Sequence, residues 1–263
     1  MAETQIRFDD GESYERYMGD WSQRAGKVFL EWLAAPSGLK WIDVGCGNGA
    51  FTELLVEQCK PAAVHGIDPS EGQLAFARSR PAAHLAKFDL GEAMALPFPA
   101  KAFDAAIMAL VIFFVPNPAK GVAEMVRVVR PGGVIAAYAW DILGGGFTLE
   151  PVRIELRAMG IKPADPPSVE ASRIEVMRDL WTKAGLDAVE TRQITVQRTF
   201  SNFEEFWAIT VSGSPSLRPT LAEMSPADVE LFKMRVCARL PADAAGRITY
   251  ESRANAVKGR VPV

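Results

Sequence analysis

Histidine and cysteine are scarce in this chain: His65 and His84 are the only histidines, and Cys46, Cys59 and Cys237 the only cysteines, in 263 residues. Zinc-type ligand sets are built largely from these two residue types at short, fixed spacings. No such spacing occurs, so no metal centre is expected. An odd, sparse set of thiols excludes a disulfide framework and fits a reducing compartment. A basic surplus is missing too, since 29 Lys and Arg face 32 Asp and Glu for a net charge of −3. The chain therefore has little with which to grip a phosphate backbone, and no nucleic-acid partner is expected. Long hydrophobic runs are also lacking. The longest, Ala105 to Val115, falls well short of the about 20 residues that span a bilayer, so no membrane span is expected. The segment Met1 to Glu15 is polar and acidic, unlike a secretory leader, and a cytoplasmic location is the expectation.

What is present is an ordinary globular composition, 49% hydrophobic and 23% charged. At about 150 residues per domain, the length suits one large domain or one domain with a cap. Short apolar runs read as strands at Leu39–Val44, Ala63–Ile67, His84–Phe88, Phe103–Ile112 and Val134–Trp140. Helical spacing alternates with them at Thr52–Cys59, Glu71–Ser79 and Ala119–Val129. Such alternation implies βαβ units and a doubly wound, mostly parallel sheet covered on both faces. A leading helix is expected over Glu12–Leu33, with Gly19 and Gly26 as weak points. Beyond Asp141 the rhythm changes. Gly144-Gly145-Gly146 reads as a flexible joint and Pro163–Pro167 as a further break. Further helices are expected at Ile174–Ala184, Phe203–Ile209 and Ala227–Leu240, and strands at Leu186–Gln197 and Arg247–Ala256. Residues 1–36 are taken as a helical lid. Residues 37–263 form the main domain, with a helical cap inserted at about 198–244.

The sharpest local signal is Trp41-Ile42-Asp43-Val44-Gly45-Cys46-Gly47-Asn48-Gly49-Ala50, between a strand and a helix. Alternate glycines let the backbone approach a ligand, because no Cβ intervenes and positive φ is cheap. The helix start beyond them offers unpaired N–H groups. Asp68, at the end of the second strand, is placed to accept both hydroxyls of a ribose. Taken alone, Gly45-x-Gly47-x-x-Ala50 also fits a dinucleotide fingerprint. Asp43 separates the two readings, as a carboxylate two residues before Gly45 repels a pyrophosphate and attracts an ammonium. The ligand favoured is a nucleoside with a cationic amino-acid tail. A helix-capping role for Asp43 is the competing reading.

Together these residues resemble the class I S-adenosylmethionine-dependent methyltransferases, within them the group related to the ubiquinone/menaquinone-biosynthesis C-methyltransferases. Asp43 to Gly49, Gly66-Ile67-Asp68-Pro69-Ser70, Gly91 to Phe98, Phe103-Asp104 to Leu110 and Arg130-Pro131-Gly132-Gly133 follow that family's motif order over about residues 40–140. The resemblance implies a seven-stranded Rossmann-like sheet and S-adenosylmethionine as cofactor, leaving as S-adenosylhomocysteine. It implies that Asp43 and the turn Gly45, Gly47, Gly49 hold the methionine moiety. Asp68 would bind the ribose, with Pro69 and Gln73 nearby. Glu92 would accept from the adenine amino group beside Ala93 and Met94; the family usually has Asp where Glu92 stands. Met108 and Ala109 would flank the amino-acid end. Tyr14, Met18 and Trp21 would close over the cofactor from the leading helix, and Arg24 would reach its carboxylate. A plain amphipathic core helix is the alternative for that segment.

Methyl transfer from a sulfonium needs alignment and a dry pocket more than acid–base chemistry. Related enzymes often place His-His where this chain has Phe113-Phe114. His65 and His84 read as packing or surface residues, so a histidine base is not expected. Asp141, at the end of the fifth strand, is the catalytic candidate by position, against the alternative of a solvated loop carboxylate. Phe113, Phe114, Trp140, Phe147, Phe206 and Trp207 are candidates to line a pocket for an apolar or aromatic small-molecule acceptor. Two other functions remain open on these residues: an NAD(P)-dependent oxidoreductase and a non-catalytic S-adenosylmethionine-binding protein.

Overall fold

The computed structural model describes residues 15–263. A π-helical turn, Glu15–Gly19, leads into α1 (Asp20–Leu33), which ends where Ala34 turns left-handed and its N–H donates to Leu30 O. The alternating stretch follows as β1 (Lys40–Val44), α2 (Ala50–Cys59), β2 (Ala63–Asp68), α3 (Glu71–Arg78), β3 (Ala86–Leu90), β4 (Phe103–Ala109), α4 (Pro118–Val128) and β5 (Val129–Trp140). Then come α5 (Glu150–Ala158), α6 (Ile174–Lys183), β6 (Asp187–Phe200), α7 (Phe203–Phe206), α8 (Arg218–Glu223), α9 (Pro226–Arg239) and β7 (Ile248–Arg260).

These strands form one seven-stranded sheet in the order β3-β2-β1-β4-β5-β7-β6. The first five are parallel, and β7 runs antiparallel to both β5 and β6. The doubly wound, mostly parallel α/β sheet expected from the sequence is therefore present. Central strands are buried on both faces, as in Trp41 to Val44 and Ala105 to Met108, which is why they read as unbroken apolar runs. Helix starts are fixed locally. Ser70, Asn117 and Ser225 each accept a backbone N–H from the first turn of α3, α4 and α9, satisfying donors that the helix itself leaves free.

Several expectations change on inspection. β3 begins two residues late because His84 belongs to a 3-10 turn, Pro81–Leu85, where its Nδ1 lies 2.9 Å from Pro81 O. β4 stops at Ala109 because Leu110 is left-handed (φ 63°) and its N–H donates to Tyr138 O. β5 begins early. Phe103 pairs with Val129 and Ala105 with Val134, so 130–133 bulge out between the two registers. Gly26 is no weak point, since a Cβ there would lie 2.7 Å from Leu54 Cδ2; the glycine lets α1 close on α2. Nor is the triple glycine a flexible joint. Asp141 accepts Gly144 N–H at its carboxylate and Gly146 N–H at its carbonyl, and Arg253 N–H donates to Gly146 O. Helix α5 was not anticipated. Its buried face carries Arg153 and Glu155 beside Val152 and Leu156, so its apolar periodicity is broken by charge.

The turn after β1 depends on β2 keeping a bare backbone. At Gly66 a Cβ would lie 2.6 Å from Phe88 Cδ1 and 2.8 Å from Cys46 Sγ. The φ there needs no glycine, so the constraint is steric. Gly66→Ala is expected to destabilise the fold by about 1–3 kcal/mol through overpacking. Urea unfolding checks this, and an unchanged midpoint would show that Phe88 can move aside at no cost.

Candidate functional site

All five parallel strands point their carboxyl ends to one edge of the sheet. At β1 the strand order reverses, with β2 and β3 to one side and β4 and β5 to the other. Loops there diverge and leave a crevice. The crevice is a cleft of about 1450 Å³. Its walls are the turn after β1 (Gly45 to Asn48), the loop after β2 (Asp68 to Gln73), the loop after β3 (Gly91 to Met94) and Ala109 to Val111 after β4. Tyr138 and the segment Lys162 to Pro167 complete it.

The glycine turn has three positive-φ glycines, Gly45 at 77°, Gly47 at 53° and Gly49 at 79°. Each serves differently. At Gly45 a Cβ would strike Val111 Cγ1 at 2.5 Å, and at Gly49 it would meet Ala77 at 3.0 Å. At Gly47 it would meet nothing within 4 Å and would fill cleft space instead. The turn is pinned from β2. Gly45 N–H and Cys46 N–H both donate to Ile67 O, at 2.6 and 3.0 Å, and Gly47 N–H donates to Asp68 Oδ2 at 2.9 Å. Asp68 Oδ1 accepts from Ser70 N–H at 2.9 Å. Burial raises the Asp68 carboxyl above the usual range, and these two N–H bonds oppose that rise. Each oxygen keeps capacity for another donor.

Asp43 is fully buried behind the turn and does not line the cleft. Thr52 Oγ1 donates to its Oδ2 at 2.6 Å, while Oδ1 has no hydrogen-bond partner among the described residues. Burial, aided by the nearby Asp68 charge and opposed by the Thr52 bond, pushes the Asp43 carboxyl up to about 7. Cys46 lines the cleft, but burial and the two carboxylates push its thiol well up, leaving it protonated filler rather than a nucleophile.

Of the residues singled out in the sequence, Gly45, Gly47, Asp68, Pro69, Gln73, Glu92, Ala93, Met94 and Ala109 line this one cleft. Gly49 stands just behind it as the residue before α2. Met108 is buried inside the sheet. The leading helix differs from expectation. Tyr14 lies outside the described residues. Met18 faces a separate small cavity. Trp21 is buried edge-on against Trp140 and tilted against Tyr250. Arg24 bonds Asp20 at 2.9 Å and lines no part of the cleft. From α1 only Ser22 reaches the cleft, a residue with no signal in the sequence pattern.

Asp141, the catalytic candidate, stands away from the cleft lining. It is buried, it does not line the cleft, and Arg253 holds its Oδ2 through Nε at 2.9 Å and Nη2 at 2.5 Å. It fastens the turn after β5 to β7. Neither histidine lines the cleft: His65 packs edge-on against Phe98 and Phe103, and His84 lies in its exposed turn. Among the aromatic candidates, Phe114 lines the cleft, and Phe113, Phe114, Trp140 and Phe147 line the small cavity beside it. Phe206 and Trp207 pack elsewhere, against Phe200, Tyr250 and Phe232. Among the described residues no His, Cys, Asp and Glu cluster could hold a metal ion, and no helix is long and apolar enough to cross a membrane.

Comparison with known proteins agrees with this geometry. Residues 42–137 match the family described as methyltransferase domain. The chain is 40% identical over 97 residues to a demethylmenaquinone methyltransferase of Symbiobacterium thermophilum, covering 35% of this chain and 39% of that protein. It is 29% identical over 226 residues to a trans-aconitate 2-methyltransferase of Methylobacterium nodulans, covering 82% and 83%. The matches to three curated relatives span 42%, 39% and 46% of those proteins, less than half of each. Among solved structures, YcgJ of Bacillus subtilis shares the fold, with TM-score 0.60 and 16% identity over 91% of this chain and 98% of that one. Residues 42–137 thus carry a methyltransferase domain, and over the sheet the chain is similar to S-adenosylmethionine-dependent methyltransferases.

Proposed function

We propose that this protein transfers the methyl group of S-adenosylmethionine to a small-molecule acceptor that is apolar or aromatic. The observation that carries the reading is the pairing of a bare Gly47 with an anchored Asp68 across the cleft mouth. Gly47 leaves room for a ligand against the backbone. Asp68, held by two N–H groups, has oxygen capacity left for a ribose diol. Behind the turn, the unsatisfied Asp43 Oδ1 adds a group that ionises more readily when a cation arrives. That favours an ammonium-bearing nucleoside over a pyrophosphate, which Asp43 and Asp68 would both repel.

S-adenosylmethionine supplies an already activated methyl group for an in-line displacement. The work left to the chain is positioning and exclusion of water. Gly45 to Asn48 and Asp68 hold the nucleoside and amino-acid ends, and Glu92 stands at the rim with Ala93 and Met94 for the adenine. Leu110, Val111, Phe114 and Tyr138 give the far wall an apolar character that strips water from the reacting atoms. Of the described residues in the expected lid (1–36) and cap (about 198–244), only Ser22 lines the cleft, so neither segment is part of this reading.

Two outcomes check it. Asp68→Ala should weaken S-adenosylhomocysteine binding by about 1–3 kcal/mol, the cost of donors left unmatched. Calorimetric titration reads this directly. Unchanged affinity would remove Asp68 from the site, and binding of NADH in place of S-adenosylhomocysteine would favour the oxidoreductase instead. The second outcome concerns Asp43. Its carboxyl is raised from 3.8 to about 7 in the folded chain. Between those values the folded chain keeps a proton that the unfolded chain has released, so stability falls as pH rises, by up to about 1.4 kcal/mol per unit. Asp43→Asn keeps an acceptor for Thr52 but cannot titrate. The drop in unfolding free energy from about pH 4 to about pH 7 should shrink in the variant. An identical pH profile would mean that Asp43 is ionised throughout.

A further inference from the structure

The bonds from β2 take hold of the glycine turn at Gly45, Cys46 and Gly47. Its last two residues meet a different anchor. Asn48 lines the cleft, and Gly49 leads into α2. Arg80, just past the end of α3, reaches both the turn and the helix. Its Nε donates to Asn48 O at 2.6 Å, and its Nη1 donates at 2.8 Å to Glu53 Oε2 in the first turn of α2. The Arg80 side chain is only 10% exposed and lines no part of the cleft. Sequence spacing gives no hint of the link, since 32 positions separate Arg80 from Asn48.

The peptide between Asn48 and Gly49 is thereby held at both polar atoms. Arg80 takes its carbonyl, and Cys46 O takes its N–H at 2.9 Å. Without such a hold, a peptide beside glycine swings easily, because glycine accepts φ of either sign. Here φ of Gly49 is 79°. A swing would break both bonds and reshape a wall of the cleft. Packing adds to the hold. A Cβ on Gly49 would lie 3.3 Å from Arg80 Cδ, and the guanidinium carbon sits 5.3 Å from the centre of the Phe76 ring. Arginine suits the place because its planar fork bonds two acceptors at once, whereas lysine brings one point charge on a flexible stem. Glu53 also balances the cation, so Arg80 sets little field against the cationic ligand that Asp43 and Asp68 favour.

We propose that Arg80 is a positioning residue for the methyl donor, fixing the Asn48–Gly49 peptide before the ligand arrives. It acts through Asn48 and touches no ligand. The proposal rests on the methyl-transfer reading for the identity of that ligand. A turn held ready spares the ligand the cost of ordering it. Once released, the turn is competent for only part of the time, and the apparent dissociation constant rises by the inverse of that fraction.

Two variants of the full-length protein test this by calorimetric titration with S-adenosylhomocysteine. Arg80→Lys keeps the charge but cannot span both acceptors, and Arg80→Met loses both bonds. In each, the dissociation constant should rise about fivefold to tenfold, with a more unfavourable binding entropy, because binding now orders the turn. A residue that only stabilised the fold would lower the thermal midpoint and leave affinity and entropy as they were. That result, or full affinity in Arg80→Lys, would overturn the proposal. Backbone order parameters from NMR relaxation read the turn without any ligand. In the unmodified protein Asn48 and Gly49 should be rigid, at about 0.85, and in Arg80→Lys they should fall below about 0.6. Low values in the unmodified protein, or no change in the variant, would also overturn it. Should S-adenosylhomocysteine fail to bind the unmodified protein, the methyl-transfer reading falls, and the anchor is judged on the order parameters alone.

Discussion

Asp68 is tied to two pieces of backbone at once. One oxygen takes Gly47 N–H from the turn after β1, and the other takes Ser70 N–H at the start of α3. The same turn is held to β2 through Ile67 O, which accepts from both Gly45 and Cys46. Three glycines in seven residues would otherwise be costly to order, because glycine loses more backbone freedom on folding than any other residue. The bonds from β2 supply that order within the protein itself, so a ligand meets a turn already shaped to receive it. Everything else about the cleft follows from that stitch. If the turn were loose, neither Asp43 behind it nor Val111 opposite Gly45 would stand in a fixed relation to a bound molecule.

This half of the site was legible in the sequence because its geometry is local. Gly45, Gly47 and Gly49 declare positive φ by being glycine, and Asp68 declares a strand end by ending an apolar run. The parallel half of the sheet was legible for a similar reason, as its strands are apolar throughout. Where the reading failed, a distant partner was the cause. Asp141 looked free at a strand end because Arg253, on β7, cannot be paired with it by spacing. Gly144 to Gly146 looked flexible because the pairing with Arg253 backbone is equally remote. Helix α5 was missed since Glu155 is buried only by virtue of Arg235 and Arg239 on α9, which hold it at 2.7 and 2.6 Å. The strand expected over Phe103–Ile112 runs three residues too far because residues beyond Leu110 are apolar for another purpose. They line cavities rather than continue the sheet.

The side of the molecule away from the glycine turn is accordingly built by long-range contacts. Trp21 of α1 packs against Trp140 of β5 and Tyr250 of β7, and the Tyr250 hydroxyl donates to Thr148 O just before α5. Arg198 of β6 joins Asp20 of α1 at 3.3 Å. These contacts make α1 part of the core, so its aromatic face, which in the sequence reads as a lid over the cofactor, is spent on packing. What α1 and its leading turn present to the cavities is Ser22 on one side and Tyr17 and Met18 on the other.

The two sides also differ in electrostatic character, and the difference has a chemical meaning. The turn side carries Asp43 and Asp68, whose carboxyls burial holds up and which a cation would help to ionise. The opposite side carries Arg153 with its charge cancelled by Asp165 and Glu150, leaving directional N–H groups but little net field. A cation is thus favoured at one wall, while the other adds no competing charge. Had Arg153 been left unpaired, its field would oppose the approach of a cation to the cleft. Balancing it leaves the acidic wall to set the polarity of the crevice.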